Sequence, residues 1–423
     1  MEYLPRTIDQ LLSRYVAGLP AVSLEGAKGV GKTATARRLA TSIVDLDIEG
    51  ARSNVAADPT FIGELPPPVL IDEWQLVPGV WDAVRREVDS DRTPGRFILT
   101  GSSTPSPKAR IHSGAGRIVR LVMRPMTLPE RGVATPKVSF ASFLDGTKPS
   151  VVHNSDLRLM DYTREIVASG LPGVRQDPPE LRPAQLNSYI ANALERDIPE
   201  MGVGVRRPMA LRAWLAAYAA ATATTASYTV ILDAATPGQG DKMARQTAAA
   251  YRELLERVRL LEPLPAWAPA FSALNRLGQA PKHHLVDPAL AARLLGATER
   301  SLVNDTSSVA LPSQGSLLGA LFESLAVLTV RVFAEATEAM VSHMRTRNGD
   351  HEIDLIVERS DHKVLAIEVK LSSAVNPHDA KHLNWLEDQI GDRLIDKVII
   401  NTGPYAHRLP DGTAVVPLSL LGP

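Results

Sequence analysis

The spacing of hydrophobic positions changes along this chain. Short apolar runs at Ala21–Leu24, Ile43–Leu46, Val69–Ile71, Phe97–Leu99 and Ile118–Leu121 read as strands, with helical spacing between most of them. Such alternation implies crossover connections and a parallel sheet covered on both faces. From Leu157 to about Gly296 the apolar residues recur at helical spacing, most clearly in Ala210–Ala223 and Ala244–Leu261. A stretch rich in Ser, Asn and Asp, Thr298–Ser316, precedes a further helical run, Leu317–Ala334. Strand patterns then follow at Met340–Arg345, Glu352–Glu358, Val364–Lys370 and Lys397–Asn401. A chain of 423 residues is too long for one ordinary core. The pattern divides it into 1–155, 156–300 and 301–423.

Composition narrows the chemistry. The chain has no cysteine. That excludes a disulfide framework, Cys-ligated zinc, an iron–sulfur cluster and a cysteine nucleophile, and it suits a cytoplasmic location. The start, Met1–Arg6, lacks the layout of a secretion signal. Ala210–Ala226 is interrupted by Arg212 and several threonines, so it reads as a soluble helix and no membrane partner is expected. The formal net charge is −1. Any contact with nucleic acid must therefore use local basic surface.

The most specific signal is Gly26-Ala27-Lys28-Gly29-Val30-Gly31-Lys32-Thr33, which fits GxxxxGKT in full. It follows the first strand and precedes the helical stretch Thr33–Thr41. Glycines let the backbone curl so that its N–H groups face phosphates, and a helix N-terminus adds its positive dipole end. Lys32 is expected on the β- and γ-phosphates of ATP, and the Thr33 hydroxyl on magnesium. The strand Val69–Ile71 ends in Asp72-Glu73. There Asp72 would hold magnesium and Glu73 would act as the base for the attacking water. Leu99-Thr100-Gly101-Ser102-Ser103 ends the next strand, so Thr100 or Ser102 is a candidate γ-phosphate contact, or else part of a turn. Arg117 is a candidate arginine finger, acting on a neighbouring copy in an ATP-state homo-oligomer, or else a solvated surface arginine.

Two weaker signals follow. Ser227–Ala235 and Met243–Leu261, joined through Thr236–Gly240, have the layout of a helix-turn-helix. Lys242, Arg245, Arg252, Arg257 and Arg259 face either DNA or solvent, since Glu253, Glu256 and Glu262 dilute the charge. In the last part, Glu368 and Lys370 share one strand face and Asp354 on the neighbouring strand joins them. Two carboxylates and an ammonium on one face call for a balancing cation or phosphate. Asp354 and Glu368 are the expected magnesium ligands, Glu323 an added acid for the metal, and Lys370 a group that positions water. The other reading is a surface hairpin of alternating charges. His283-His284 point to opposite sides of an extended chain, so they are not expected to share a metal.

The motifs Gly26–Thr33, Ile71–Gln75, Leu99–Ser103, Gly116-Arg117, Arg124-Pro125-Met126 and Glu130 resemble those of bacterial and archaeal AAA-superfamily ATPases with a C-terminal domain of unknown function. Asp161-Tyr162, Ser169–Pro172, Tyr189-Ile190 and Glu195–Ile198 resemble that family's next block. Gly349–Asp354 with Glu368-Val369-Lys370 resembles the restriction-endonuclease-like PD-(D/E)XK pattern. The resemblance implies an α/β fold class: a P-loop NTPase parallel sheet, a helical winged-helix-like middle and a C-terminal α/β nuclease-like domain. It implies ATP and Mg2+ as ligands, and DNA or another protein as partner. Three functions stay open: an ATPase coupled to a nuclease, an ATP-switched DNA-binding regulator with an idle C-terminal fold, and an ATP-dependent protein sensor.

Overall fold

A computed structural model describes residues 3–103, 114–200, 207–236, 243–269, 277–304 and 316–423. The expected α/β class is what it has: a parallel sheet first, helices in the middle and a second sheet last.

The first sheet comprises β1 (Ala21–Glu25), β2 (Ser42–Asp45), β3 (Val69–Asp72), β4 (Phe97–Gly101) and β5 (Val119–Val122), in the order β2-β3-β4-β1-β5. Every pairing is parallel, and the register sets Glu25 beside Gly101 and Asp45 beside Asp72. All strand C-termini therefore reach one edge, where open α/β sheets bind ligands. β3 and β4 are buried along their whole length. That explains their unbroken apolar runs, since both faces are covered.

The middle is helical, with Leu159–Ala168, Arg182–Asn192, Pro208–Ala220 and Arg245–Arg257 as its longest helices. Both helices of the expected helix-turn-helix are present, as Tyr228–Ala234 and Arg245–Arg257. The turn expected between them, with Lys242, lies largely outside the described residues. So does most of the Ser- and Asn-rich stretch before Ser316.

The last part opens with the helix Leu317–Ala336. By length and apolarity it meets the test for a membrane span, yet 83% of its most apolar window is buried inside the protein. It is a core helix, and Phe322 and Phe333 on it are fully enclosed. Its partner sheet is built from β7 to β13, with β6 and β14 beside it. The short β6 (Val138–Ser139) pairs with β14 (Leu421–Gly422) as a separate two-stranded sheet. The main sheet runs β7-β12-β13-β11-β10-β9-β8. These strands are β7 (His153–Asn154), β8 (Met340–Arg345), β9 (Glu352–Glu358), β10 (Val364–Val369), β11 (Leu394–Asn401), β12 (Tyr405–Arg408) and β13 (Ala414–Pro417). Within the chain the order helix, three antiparallel strands, helix (Lys381–Ile390) and parallel strand β11 is continuous. Strands β6 and β7, which follow the first sheet in sequence, thus pair with the chain's last strands.

Three ion-paired residues join the parts. Arg124 binds Glu262 at 2.7 Å and Glu335 at 3.2 Å, and Glu335 also accepts the N–H of Val122 on the edge strand β5 at 2.8 Å. An edge N–H without a partner would cost a hydrogen bond, so the C-terminal core helix completes the first sheet's edge.

Candidate functional site

At the C-terminal edge of the first sheet, Glu25 ends β1 and the chain turns through Gly26–Gly31 into the helix Lys32–Arg37. That helix is shorter than the Thr33–Thr41 stretch expected from sequence. Gly31 caps it with φ 103°, a left-handed conformation that disfavours any side chain. A Cβ at Gly26 would lie 2.2 Å from the backbone oxygen of Met123, so the loop lies tight against the segment after β5. Arg6 fixes the loop from the other side, donating to the carbonyls of Val30 at 2.7 Å and Arg124 at 2.6 Å.

Lys32 is buried, and its ammonium donates to the carbonyls of Gly26 (3.0 Å) and Ala27 (2.9 Å). Burial lowers its pKa to about 8, against the pull of Glu73 and Asp72. The Thr33 hydroxyl donates to Asp72 Oδ1 at 2.9 Å, and the Thr100 hydroxyl donates to the same oxygen. Burial raises the Asp72 carboxyl, while these two hydroxyls lower it. Thr100, a candidate phosphate contact, is thus fully buried and engaged with Asp72. Glu73 sits at φ 53°, a left-handed conformation unusual for a side-chain-bearing residue. Its Oε2 accepts from the Ser102 hydroxyl at 2.8 Å and from the Gln75 amide, and Gln75 also reaches Ser102 at 3.2 Å. The strand-end acid is thereby aimed by a polar triad, of which Gln75 and Ser102 are the positioning members.

The helical part covers this loop. Lys28 pairs with Asp197 at 2.6 Å, and the Tyr189 hydroxyl donates to the Lys28 carbonyl at 3.2 Å. Asp197 ends a short π-helical turn, Ala193–Asp197, a distortion often found at functional sites. Arg259, with φ 54°, pairs with Glu25 directly before the loop. Tyr189 and Asp197 fall in blocks that carry the family resemblance but gave no sign of a place beside the phosphate loop, and Arg259 carries no motif. Arg259, expected to face either DNA or solvent, turns toward Glu25 and the P-loop. Arg252 stacks over the Tyr228 ring at 4.5 Å and pairs with Glu256 at 3.5 Å, so its charge is engaged within the helical part. Arg117 lies just before β5, at the sheet end opposite the chain's own P-loop, and pairs with Asp89 at 2.8 Å.

A second cluster lies in the C-terminal part. Asp354 on β9 and Glu368 on β10 share a sheet face, as the sequence reading expected, because the antiparallel register sets Leu355 beside Ile367. Lys370 pairs with Glu368 at 2.7 Å, and Asp354 Oδ2 accepts the N–H of Val369 at 2.9 Å. Glu323 on the core helix joins them, as expected. The group sequence reasoning missed is Lys282, whose ammonium lies 2.7 Å from Asp354, 2.9 Å from Glu352 and 3.0 Å from Glu323. Burial alone would lower Lys282, but Asp354, Glu323 and Glu352 raise it well above an ordinary lysine. Burial pushes Glu323 and Glu368 up to about 8. For Asp354 burial opposes ionisation, and the Lys282 ammonium outweighs it, holding the carboxyl below its usual range. Among the described residues no group of three or more His, Asp or Glu is arranged to hold a metal ion. Magnesium ligation by Asp354, Glu368 and Glu323 therefore does not fit this arrangement, because a lysine ammonium stands among their oxygens.

His283 Nε2 meets the Ala226 carbonyl at 2.7 Å while His284 is enclosed elsewhere. Asp287 caps the helix Pro288–Leu294 and also accepts from Ser169 and Gly170, both at 2.7 Å. The Ser-Gly-Leu-Pro block is thus a packing device between helices.

Residues 19–131 match the AAA domain family. Residues 159–301 and 318–421 match two domains of unknown function, DUF8612 and DUF4143. Uncharacterised proteins of Mycobacterium bovis and Mycobacterium tuberculosis are each 25% identical over 413 residues, covering 96% of this chain and 82% of theirs. Among solved structures, the Walker-type ATPase of Pyrococcus abyssi is 14% identical and covers 69% of this chain and 96% of its own, with TM-score 0.38. The Aeropyrum pernix ORC2 protein, in ADPNP–ADP complexes, is also 14% identical, covers 71% and 92%, and has TM-score 0.27. The match to the AAA domain, the parallel sheet and the phosphate loop together make the N-terminal part an AAA-type, P-loop ATPase-like domain.

Proposed function

We propose, from this AAA-type N-terminal domain, that the chain binds ATP with Mg2+ at Gly26–Thr33 and hydrolyses it. The observation that carries the reading is the convergence of Lys32, Thr33, Asp72 and Glu73 at one sheet edge, each held by named partners. The triphosphate competes with the Gly26 and Ala27 carbonyls for the Lys32 ammonium. Thr33 and Asp72 lie within hydrogen-bond distance of each other, which fits one hydroxyl and one carboxylate serving the same Mg2+. The ion, when bound, neutralises charge on the β- and γ-phosphates. Glu73 orients water and takes its proton, and Ser102 and Gln75 keep its carboxylate on that line. Lys28, Tyr189 and Arg259 bring the helical part to the same loop, so turnover is felt there first. In the ATP state, copies assemble so that Arg117 leaves Asp89 and completes a neighbour's site.

ATP hydrolysis by the purified chain tests this reading. Lys32→Ala should lose nucleotide binding. Glu73→Gln should bind ATP as before and lose at least about a hundredfold in turnover. Wild-type hydrolysis by Glu73→Gln would remove Glu73 as the base.

A second observation bears on the C-terminal part. Its helix–strand order supports the nuclease-like reading, but Lys282 within the carboxylates favours a fold that binds nucleic acid or protein over one that cuts. The chain is then an ATP-switched regulator, tested by nucleotide-dependent binding of single-stranded, duplex and branched DNA without loss of substrate length.

A further inference from the structure

A cavity lies in the helical part, between the helices Tyr228–Ala234 and Arg245–Arg257, with Trp214 of the helix Pro208–Ala220 on its third side. One face of Arg245–Arg257 supplies a wall. Arg245, Ala248, Ala249 and Arg252 recur at the spacing that sets side chains one above another on a helix. The two alanines leave the hollow because their side chains end at Cβ. Its volume is about 120 Å3. A cavity of about 150 Å3 accepts benzene. The space therefore suits one ring and is too small for a nucleotide.

The walls divide by chemistry. Leu232, Ala248 and Ala249 are apolar, and Trp214 and Tyr228 add flat rings. Both charged groups are cations, Arg245 and Arg252, and no carboxylate lines the space. The two cations differ. Arg252 is held over the Tyr228 ring at 4.5 Å and pairs with Glu256 at 3.5 Å. Arg245 is exposed and has no ion-pair partner among the described residues. It is also the first residue of a 13-residue helix whose first turn has neither a side-chain cap nor an acid. The N-terminus of a helix already carries positive charge, and Arg245 adds more where an anion would be favoured. The indole N–H of Trp214 is a further donor, buried and without an acceptor among the described residues. An apolar hollow with cationic donors and no acids selects an anion with an apolar body.

We propose that this cavity binds a small aromatic carboxylic acid. The ring lies among Trp214, Leu232 and the two alanines, where flat walls favour a ring over a branched chain. The carboxylate stays at the Arg245 end, where the guanidinium fork takes both oxygens and the helix N-terminus adds its dipole. A bound acid touches three helices at once, so occupancy fixes how they pack, as an effector does. The cavity shares no residue with the phosphate loop. The inference therefore stands apart from ATP turnover.

The test is a fluorine NMR titration of the full, nucleotide-free chain with para-fluorobenzoate. Wild type should bind it. Para-fluorobenzyl alcohol, which keeps the ring and lacks the charge, should bind at least about tenfold more weakly. Arg245→Gln should weaken binding of the acid by a similar factor. Ala249→Phe, which places a ring in the hollow, should abolish it. Arg245 and Ala249 are both exposed, so neither change disturbs the core, and circular dichroism checks the fold. A wild-type chain that binds no para-fluorobenzoate overturns the proposal. So does equal affinity for acid and alcohol, a comparison that needs no variant. A folded Arg245→Gln or Ala249→Phe protein that binds the acid as wild type does overturns it as well.

Discussion

Lys32 carries its charge where charge is penalised. Its ammonium is buried against loop carbonyls, and burial lowers its pKa to about 8. Phosphate oxygens would raise that value again, so the free and bound proteins differ in protons held. Below pH 8 both forms hold the proton, and ATP affinity should not change with pH through Lys32. Above pH 8 the free protein loses it first, so binding takes up a proton and affinity falls, by up to about tenfold per pH unit. Calorimetry at pH 8.5 in two buffers of different ionisation enthalpy should show that uptake, and equal apparent enthalpies would count against it. Lys32 itself was legible because the phosphate loop needs its residue types contiguous in sequence. Lys282 was not. It stands beside His283-His284, residues that attract attention as ligands, while its own role depends on Glu323, Glu352 and Asp354 arriving from 41 or more positions away. Arg259 is similar: nothing local marks a residue that folds back onto Glu25.

The strand, loop and helix around Gly26 work as one unit because the loop is wedged. The space a Cβ would need at Gly26 is filled by the Met123 carbonyl, which is backbone and cannot rotate away. Gly26→Ala should therefore push the loop off β1, cost about 1–3 kcal/mol of stability, and weaken ATP binding. Thermal unfolding and a nucleotide titration check both effects. If affinity survives unchanged, the loop has room that this packing denies. Strands such as β3 and β4 were legible as unbroken apolar runs, because burial on both faces requires them. β8 and β9 fell on the expected residues through their apolar patterning. The short strands β6, β7, β12 and β14 were not legible. They have two to four residues each and take their shape from partners far along the chain.

Arg124, Glu262 and Glu335 tie the sheet, the helical part and the core helix at one point. Assembly is a consequence of the ATP reading. Arg117 faces away from its own P-loop, so it serves a nucleotide only by reaching another copy. Sedimentation of Glu73→Gln in ATP and Mg2+ should show an oligomer that Arg117→Ala weakens or dissolves. A monomer at every concentration would end that idea, while leaving nucleotide binding intact.

The pairing of β7 with β12 and of β6 with β14 also bears on how the chain is made. A ribosome releases residues 138–154 long before the partners at 405–422 exist. At about 5–20 residues per second the wait is on the order of ten seconds to a minute. During it, the segment that trails the AAA-type domain has unfilled backbone groups, while the first sheet's own strands are already made. The edge strand β5 likewise waits for Glu335. The nascent protein thus passes through a period in which its AAA-type part is present and its seam is open, the interval in which chaperones and unwanted partners have their access.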